Sequence, residues 1–347
     1  MRLIKGLALV GVVLALGAAA QAAPKSAKAA LSGPLVIAKQ GSFFVGGRDV
    51  TSDSISFASA FGTSGVITVD QIYVRYQTPV GAGRTPKVVL IHGCCLTGMT
   101  WETTPDGRMG WDEYFVRRGY PTYVIDQSWR GRSAADPSMI NAAHQGKVAI
   151  DKIPQVASSG HETSWVNFRI GPAMGKTYPG VQYPTEAAAE FFKQMVPDEA
   201  NSLPTPNPTV PNLALLSQKL EHTVLISHSQ SGIYPFQVEQ ISTQGIVGIV
   251  SIEPGACPDA KGDLAPYASV PTLVVFGDFV DLNERWKTRL VTCREFVARL
   301  NAAGGHAQML VLPEAGIMGN THMMMQDKNN LQVADALIAW IRKNVKA

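Results

Sequence analysis

An excess of charge of either sign is missing from this chain. Its 347 residues include 30 Lys or Arg and 27 Asp or Glu, a formal net charge of +3. Without Arg2 and Lys5, which lie in a segment expected to be removed, 28 basic residues face 27 acidic ones and the balance is +1. Such a chain has no basic field with which to hold nucleic acid or an anionic membrane surface. Cysteine is scarce as well. There are four, Cys94 and Cys95 adjacent, Cys257 and Cys293 isolated. None has the paired spacing of a zinc site, so no metal is expected, and no cofactor of another kind. Internal repeats are absent, and an apolar run of any length occurs only near the start.

That run reads as a signal peptide over residues 1–22. Arg2 and Lys5 supply the positive end, Leu7 to Leu16 the apolar core, and Ala20-Gln21-Ala22 a small-x-small cleavage site. The core is too short to span a bilayer comfortably. Export to periplasm or medium is therefore expected, with no membrane anchor after cleavage. In that compartment the cysteines point to disulfides, Cys257 with Cys293 among them. The remaining 23–347 reads as one large domain, and at 46% hydrophobic residues it can bury an extensive core.

Strand and helix signals follow in order. Leu35 to Ala38, Ser42 to Val45 and Val66 to Arg75 read as strands entering a sheet antiparallel. Lys87 to Ile91 and Tyr120 to Ile125 are continuous apolar runs, as strands buried on both faces require. Trp111 to Arg118 between them reads as helix. From Thr223 the pattern turns regular, with strands at Thr223–Ile226, Ile246–Ile252, Thr272–Phe276 and Gln308–Leu312. Helices over 233–244, Glu284–Leu300 and Leu331–Asn344 separate most of them. Alternation of this kind means a mostly parallel sheet with helices on both faces, an α/β fold. Residues 133–213 interrupt it. They hold Pro-Thr-Pro-Asn-Pro at 204–208 and one clear helix, Glu186 to Met195, and read as a cap or lid over the sheet's C-terminal edge, where ligands bind in open α/β folds.

One stretch organises the rest. Thr223-Val-Leu-Ile-Ser-His-Ser229-Gln-Ser-Gly232 runs from a β-branched strand through a serine into an amphipathic segment. A serine on so sharp a strand-to-helix turn is held with its hydroxyl clear of the backbone, as a nucleophile needs. Small residues two before and two after let strand and helix approach. Both are serines, so Ser227 and Ser231 stand as rivals to Ser229.

These residues resemble the α/β-hydrolase superfamily over essentially the whole mature chain. The resemblance rests on His92-Gly93 after a buried strand, Asp126-Gln-Ser-Trp-Arg-Gly-Arg-Ser133 after the next, the Ser229 turn, and a late His322. Cys94-Cys95 and Ser251-Ile252-Glu253-Pro254-Gly255 are more particular, and are similar to secreted bacterial carboxylesterases of the esterase 713 type. The resemblance implies a serine ester hydrolase working through an acyl-enzyme on a small or medium apolar ester. Ser229 would be nucleophile, His322 base and Glu253 the orienting acid, with Asp281 or Asp278 one strand later as alternatives. The backbone N–H groups of Cys94 and Gln230 would form the oxyanion hole, and a ring closed by a Cys94–Cys95 disulfide would stiffen the first. A lactonase or amidase on the same residues, and an idle member binding a small ligand, are the other readings. The partner expected is a small-molecule ester, and a homodimer is compatible with all of this.

Overall fold

The computed structural model describes residues 33–199 and 207–346. The expected signal peptide, the tail at 24–30 and most of the proline-rich run at 204–208 lie outside the described residues.

Among the described residues ten strands form in order: β1 (Ile37–Val45), β2 (Arg48–Ser52), β3 (Gly65–Val69), β4 (Ile72–Pro79), β5 (Lys87–Ile91), β6 (Thr122–Asp126), β7 (Thr223–His228), β8 (Ile246–Ile252), β9 (Thr272–Phe276) and β10 (Ala307–Val311). Eight make one sheet, ordered β1-β4-β6-β5-β7-β8-β9-β10, while β2 and β3 form a separate ladder. β4 runs antiparallel to β1 and β6, and every pairing from β6 to β10 is parallel. Burial explains the division. β6, β7 and β9 are buried at every residue, whereas β1 has half-buried and exposed positions and a single buried one, Val45, as an edge strand does.

The helices are α1 (Trp111–Arg117), α2 (Ser138–His144), α3 (His161–Asn167), α4 (Ala188–Phe192), α5 (Thr209–Leu220), α6 (Tyr234–Glu239), α7 (Glu284–Ala302) and α8 (Asn330–Asn344). Val210, Leu213 and Leu216 of α5 and Val238 of α6 join Val89, Leu225 and Ile249 of the sheet in one core. Phe296, Val297 and Leu300 of α7 pack with Val274 and Phe276 in a second. α1 packs against α8, with Trp111 Nε1 donating to the Asn330 carbonyl at 3.0 Å.

Several boundaries differ from those expected. The first two strands are one, because Gly41 stays in the ladder opposite Tyr76. The run Val66–Arg75 is two strands, broken at Asp70, whose φ is 70°. The helix expected at 186–195 is a 3-10 turn, Thr185–Ala187, followed by the short α4. The one expected at 233–244 is helical only over α6. Residues 209–213, assigned from sequence to the insertion, open α5, which covers the sheet as an ordinary crossover helix. The prolines at 208 and 211 hid its apolar period. Cys257 and Cys293 are joined, with Cα atoms 5.3 Å apart.

Candidate active site

β7 ends at His228, and the chain passes at once into the 3-10 turn Ser229–Ile233 and then α6. Ser229 adopts φ 58°, the left-handed region that a side chain with a Cβ avoids. The sequence favours Ser229 over Ser227 and Ser231, because only Ser229 has a small residue two before and two after directly after the strand, and the packing also distinguishes the three. Ser227 is fully buried, and the Ser231 hydroxyl donates to the Ile91 carbonyl at 3.1 Å while accepting the His228 N–H at 3.2 Å. Of the three, Ser229 alone lines a cavity of about 230 Å³, with Cys94, Phe168, Trp286 and His322 among its other walls. The loop after β5 comes close here, since a Cβ on Gly93 would sit 2.8 Å from Ser229 Cβ. Only glycine fits there.

His322 lies in the loop between β10 and α8 and is fully buried. Its Nδ1–H donates to Glu253 Oε2 at 3.1 Å, its main-chain N–H to the Phe168 carbonyl at 2.9 Å. His228 Nε2 donates to the His322 carbonyl at 2.9 Å. The ring lies among Trp286, His228 and Phe168, with centroids at 4.2, 4.4 and 5.1 Å. The loop itself is tied down by Asp327, which accepts from the Thr321 N–H at 2.7 Å and the Thr321 hydroxyl at 2.9 Å. With Nδ1 as donor, the lone pair is on Nε2, and Nε2 has no hydrogen-bond partner among the described residues. Burial is the main force on its pKa and carries it down to about 4, against the opposing pull of Glu253. The imidazole is thus neutral at pH 7.

Glu253 follows β8 directly, at φ 47° and fully buried. Its carboxylate accepts the Gly277 N–H at 2.6 Å beside the bond from His322. Gly277 is needed as glycine because an added Cβ would meet the Asn320 carbonyl at 2.7 Å. Asp281, the alternative acid, is exposed in the 3-10 turn Val280–Leu282. Asp278 is engaged elsewhere and accepts the Gly319 N–H at 2.8 Å.

Sequence reasoning missed Arg169. It follows α3 at φ 59° and reaches into the core with no exposure at all. Its guanidinium grips Glu253 with both arms, Nη2 to Oε1 at 2.5 Å and Nη1 to Oε2 at 2.9 Å, and Nε donates to the Asp278 carbonyl at 2.8 Å. Burial by itself would raise the Glu253 carboxyl, but the charge of Arg169 and the bond to His322 outweigh it and hold the pKa at about 2. One signal was available. Arg169 is the only arginine between residues 133 and 213, and arginine is the cation best suited to a buried carboxylate.

Of the expected oxyanion donors, Cys94 lines the cavity and Gln230 directly follows Ser229. Gln230 is the second residue of the 3-10 turn, where the N–H has no partner within the turn. Cys94 belongs to the loop that Asp126 fastens by accepting the Gly98 N–H at 2.8 Å and the Arg132 N–H at 2.9 Å. Asp198, also missed, spans the two. It accepts the Cys95 N–H and the Gln230 side-chain amide, both at 3.1 Å, and forms a buried ion pair with Arg130. Cys94 and Cys95 are separate thiols with sulfurs 2.7 Å apart, closer than unbonded sulfurs ordinarily come. Among the described residues, the one group able to offer several metal ligands is Cys94, Cys95 and Asp198, and the Asp198 carboxylate is already shared as above.

The chain is 56% identical to a bacterial esterase solved at atomic resolution, over 91% of this chain and 98% of that one, with a TM-score of 0.89. The chain belongs to the α/β-hydrolase superfamily. The strand order of this α/β-hydrolase, with β7 central and the Ser229 turn at its C-terminal end, is the architecture expected from the sequence. It is also 26% identical over 345 residues to the probable secreted lipase phiG of Fungal sp. (strain ATCC 74256), covering 85% of this chain and 92% of the relative. No family model matches it.

Proposed function

We propose that this protein is a serine esterase that hydrolyses carboxylic esters through an acyl-enzyme. What carries the reading is His322, neutral, fixed at Nδ1 by Glu253 and unpartnered at Nε2, on the same cavity as the strained Ser229. Ser229 Oγ attacks the ester carbonyl as Nε2 takes its proton, and the Glu253 carboxylate stabilises the imidazolium that results. The developing oxyanion is met by the N–H groups of Cys94 and Gln230, each donor contributing about 3 kcal/mol. Nε2 then returns the proton to the departing alcohol. Water, activated by the same nitrogen, releases the acid.

The esterase and lipase names of the two relatives support ester chemistry. The word secreted in the second agrees with export, as does the absence, among the described residues, of any helix long and apolar enough to cross a membrane. Ser229→Ala should lower kcat by several orders of magnitude with the melting temperature retained. It should also abolish labelling by a fluorophosphonate. Near-normal turnover in that variant would refute the assignment.

A further inference from the structure

One part of the cavity wall is cationic. Arg285 and Arg289, on the first turns of α7, line it together with Ser229 and His322, and no Asp or Glu does. Among the described residues neither guanidinium forms an ion pair or a hydrogen bond. Arg289 is half-buried and lies over the Trp286 ring at 4.5 Å. That ring is itself fixed by its N–H bond to the Asn167 carbonyl at 2.6 Å, so the guanidinium is held toward the cavity. The nearest buried carboxylate, Glu253, is already neutralised by the two-armed grip of Arg169. Arg289 is half-buried and Arg285 exposed, so two like charges face the cavity with no ion pair among the described residues, an arrangement that an anion would relieve.

Resting on the esterase reading, we propose that the ester accepted here carries a second, anionic group, a carboxylate for example, bound by Arg285 and Arg289. An apolar ester would leave both guanidinium groups unanswered. Guanidinium suits the task because its planar fork pairs with carboxylate in two bonds at once. The cavity, at about 230 Å³, is below the roughly 300–1,000 Å³ usual for drug-sized ligands, so ester and acid must lie within a few bonds of each other.

The test uses two pairs of substrates matched in length, followed by acid release at constant pH. Methyl butyrate is set against monomethyl succinate, which places the charge on the acyl side, and propyl acetate against acetoxyacetate, which places it on the alcohol side. In at least one pair the charged ester should have a kcat/KM at least about tenfold higher, some 1.4 kcal/mol in transition-state binding. That preference should shrink with added salt. In the double variant Arg285→Gln/Arg289→Gln the ratio of charged to neutral ester should fall about tenfold, and Arg289→Lys, which keeps the charge, should retain most of it. Melting temperatures of the variants within a few degrees of the parent exclude misfolding. Hydrolysis of the neutral esters without preference for either charged one overturns the inference and leaves the esterase reading standing. Failure on all four esters overturns it too, and fluorophosphonate labelling of the same preparation then tells whether the serine reading falls with it.

Discussion

Replacing Arg169 by Gln tests whether the acid of the triad depends on a cation supplied by the insertion. Gln keeps a Cβ at φ 59°, so the backbone strain is the same in both proteins. It removes the charge and the two bonds at 2.5 and 2.9 Å to Glu253. Glu253 then remains fully buried with the Gly277 N–H and His322 as its partners. Breaking a buried pair from one side costs about 3–5 kcal/mol. For a chain of 347 residues, with unfolding entropy near 2 cal/mol/K per residue, this lowers the melting temperature by about 4–7 °C. A second effect is electrostatic and more diagnostic. Nη1 and His322 Nδ1 flank the same oxygen, Oε2, at 2.9 and 3.1 Å, so they are no more than about 6 Å apart. At an effective dielectric near 20 that separation corresponds to roughly 3 kcal/mol, or about two pKa units, by which Arg169 disfavours imidazolium. The base works only when neutral, so the acid limb of the kcat/KM profile follows the pKa of His322. That limb lies below the ordinary imidazole range in the parent, since burial and then the nearby arginines hold His322 at about 4. It should move upward by a unit or more in Arg169→Gln and return toward the parent in Arg169→Lys. A purely structural arginine would change the melting temperature and leave the limb in place. An unmoved limb in a folded variant refutes the electrostatic argument, and an unmoved melting temperature refutes the buried pair.

Glu253→Gln should cost far more in kcat than Asp281→Asn, because an amide supports the imidazolium poorly and Asp281 is exposed away from it. The reverse ranking, with both variants folded, would relocate the acid. If the Cys94 and Cys95 thiols, separate here with sulfurs 2.7 Å apart, close into a ring on oxidation, Cys94→Ser/Cys95→Ser should lower kcat more than it raises KM while barely moving the melting temperature, since a bond between neighbours closes almost no chain. Two free thiols at these positions in denatured, unreduced protein would dispose of the ring itself, and full activity of the double variant would dispose of its catalytic role.

The parts of the site that sequence made legible are those carried by short, local signals. The Ser229 turn announces itself by a β-branched strand stopping at small residues, because a nucleophile there needs close approach on both sides. Glu253 was readable as a carboxylate at a strand end, yet its preference over Asp281 came from resemblance. What favours Glu253 is spatial: it is buried at the end of β8, beside β7, and bonds His322, whereas Asp281 is exposed. Edges of elements were read less well for a local reason. Gly41 and Asp70 show the two opposite errors, a glycine tolerated inside a ladder and an acidic residue at φ 70° ending one.

Arg169 and Asp198 mark the limit. Each acts on a residue far away in the chain, Arg169 on Glu253 84 positions later and Asp198 on Cys95 103 positions earlier. No periodicity or spacing encodes such a contact, and both residues sit in a stretch whose glycines and prolines suggest a loose excursion. Their chemistry shows otherwise. A buried carboxylate in a triad and a buried aspartate beside an oxyanion loop are tolerable only if cations reach them, and Arg169 and Arg130 do so with almost no exposure. Residues 133–213 therefore do more than line the cavity. By way of Arg169 they meet the Glu253 carboxylate that holds His322, and by way of Asp198 they tie the Cys95 N–H to the Gln230 side chain, so the proposed triad and oxyanion donors lean on contacts made by residues 157–198.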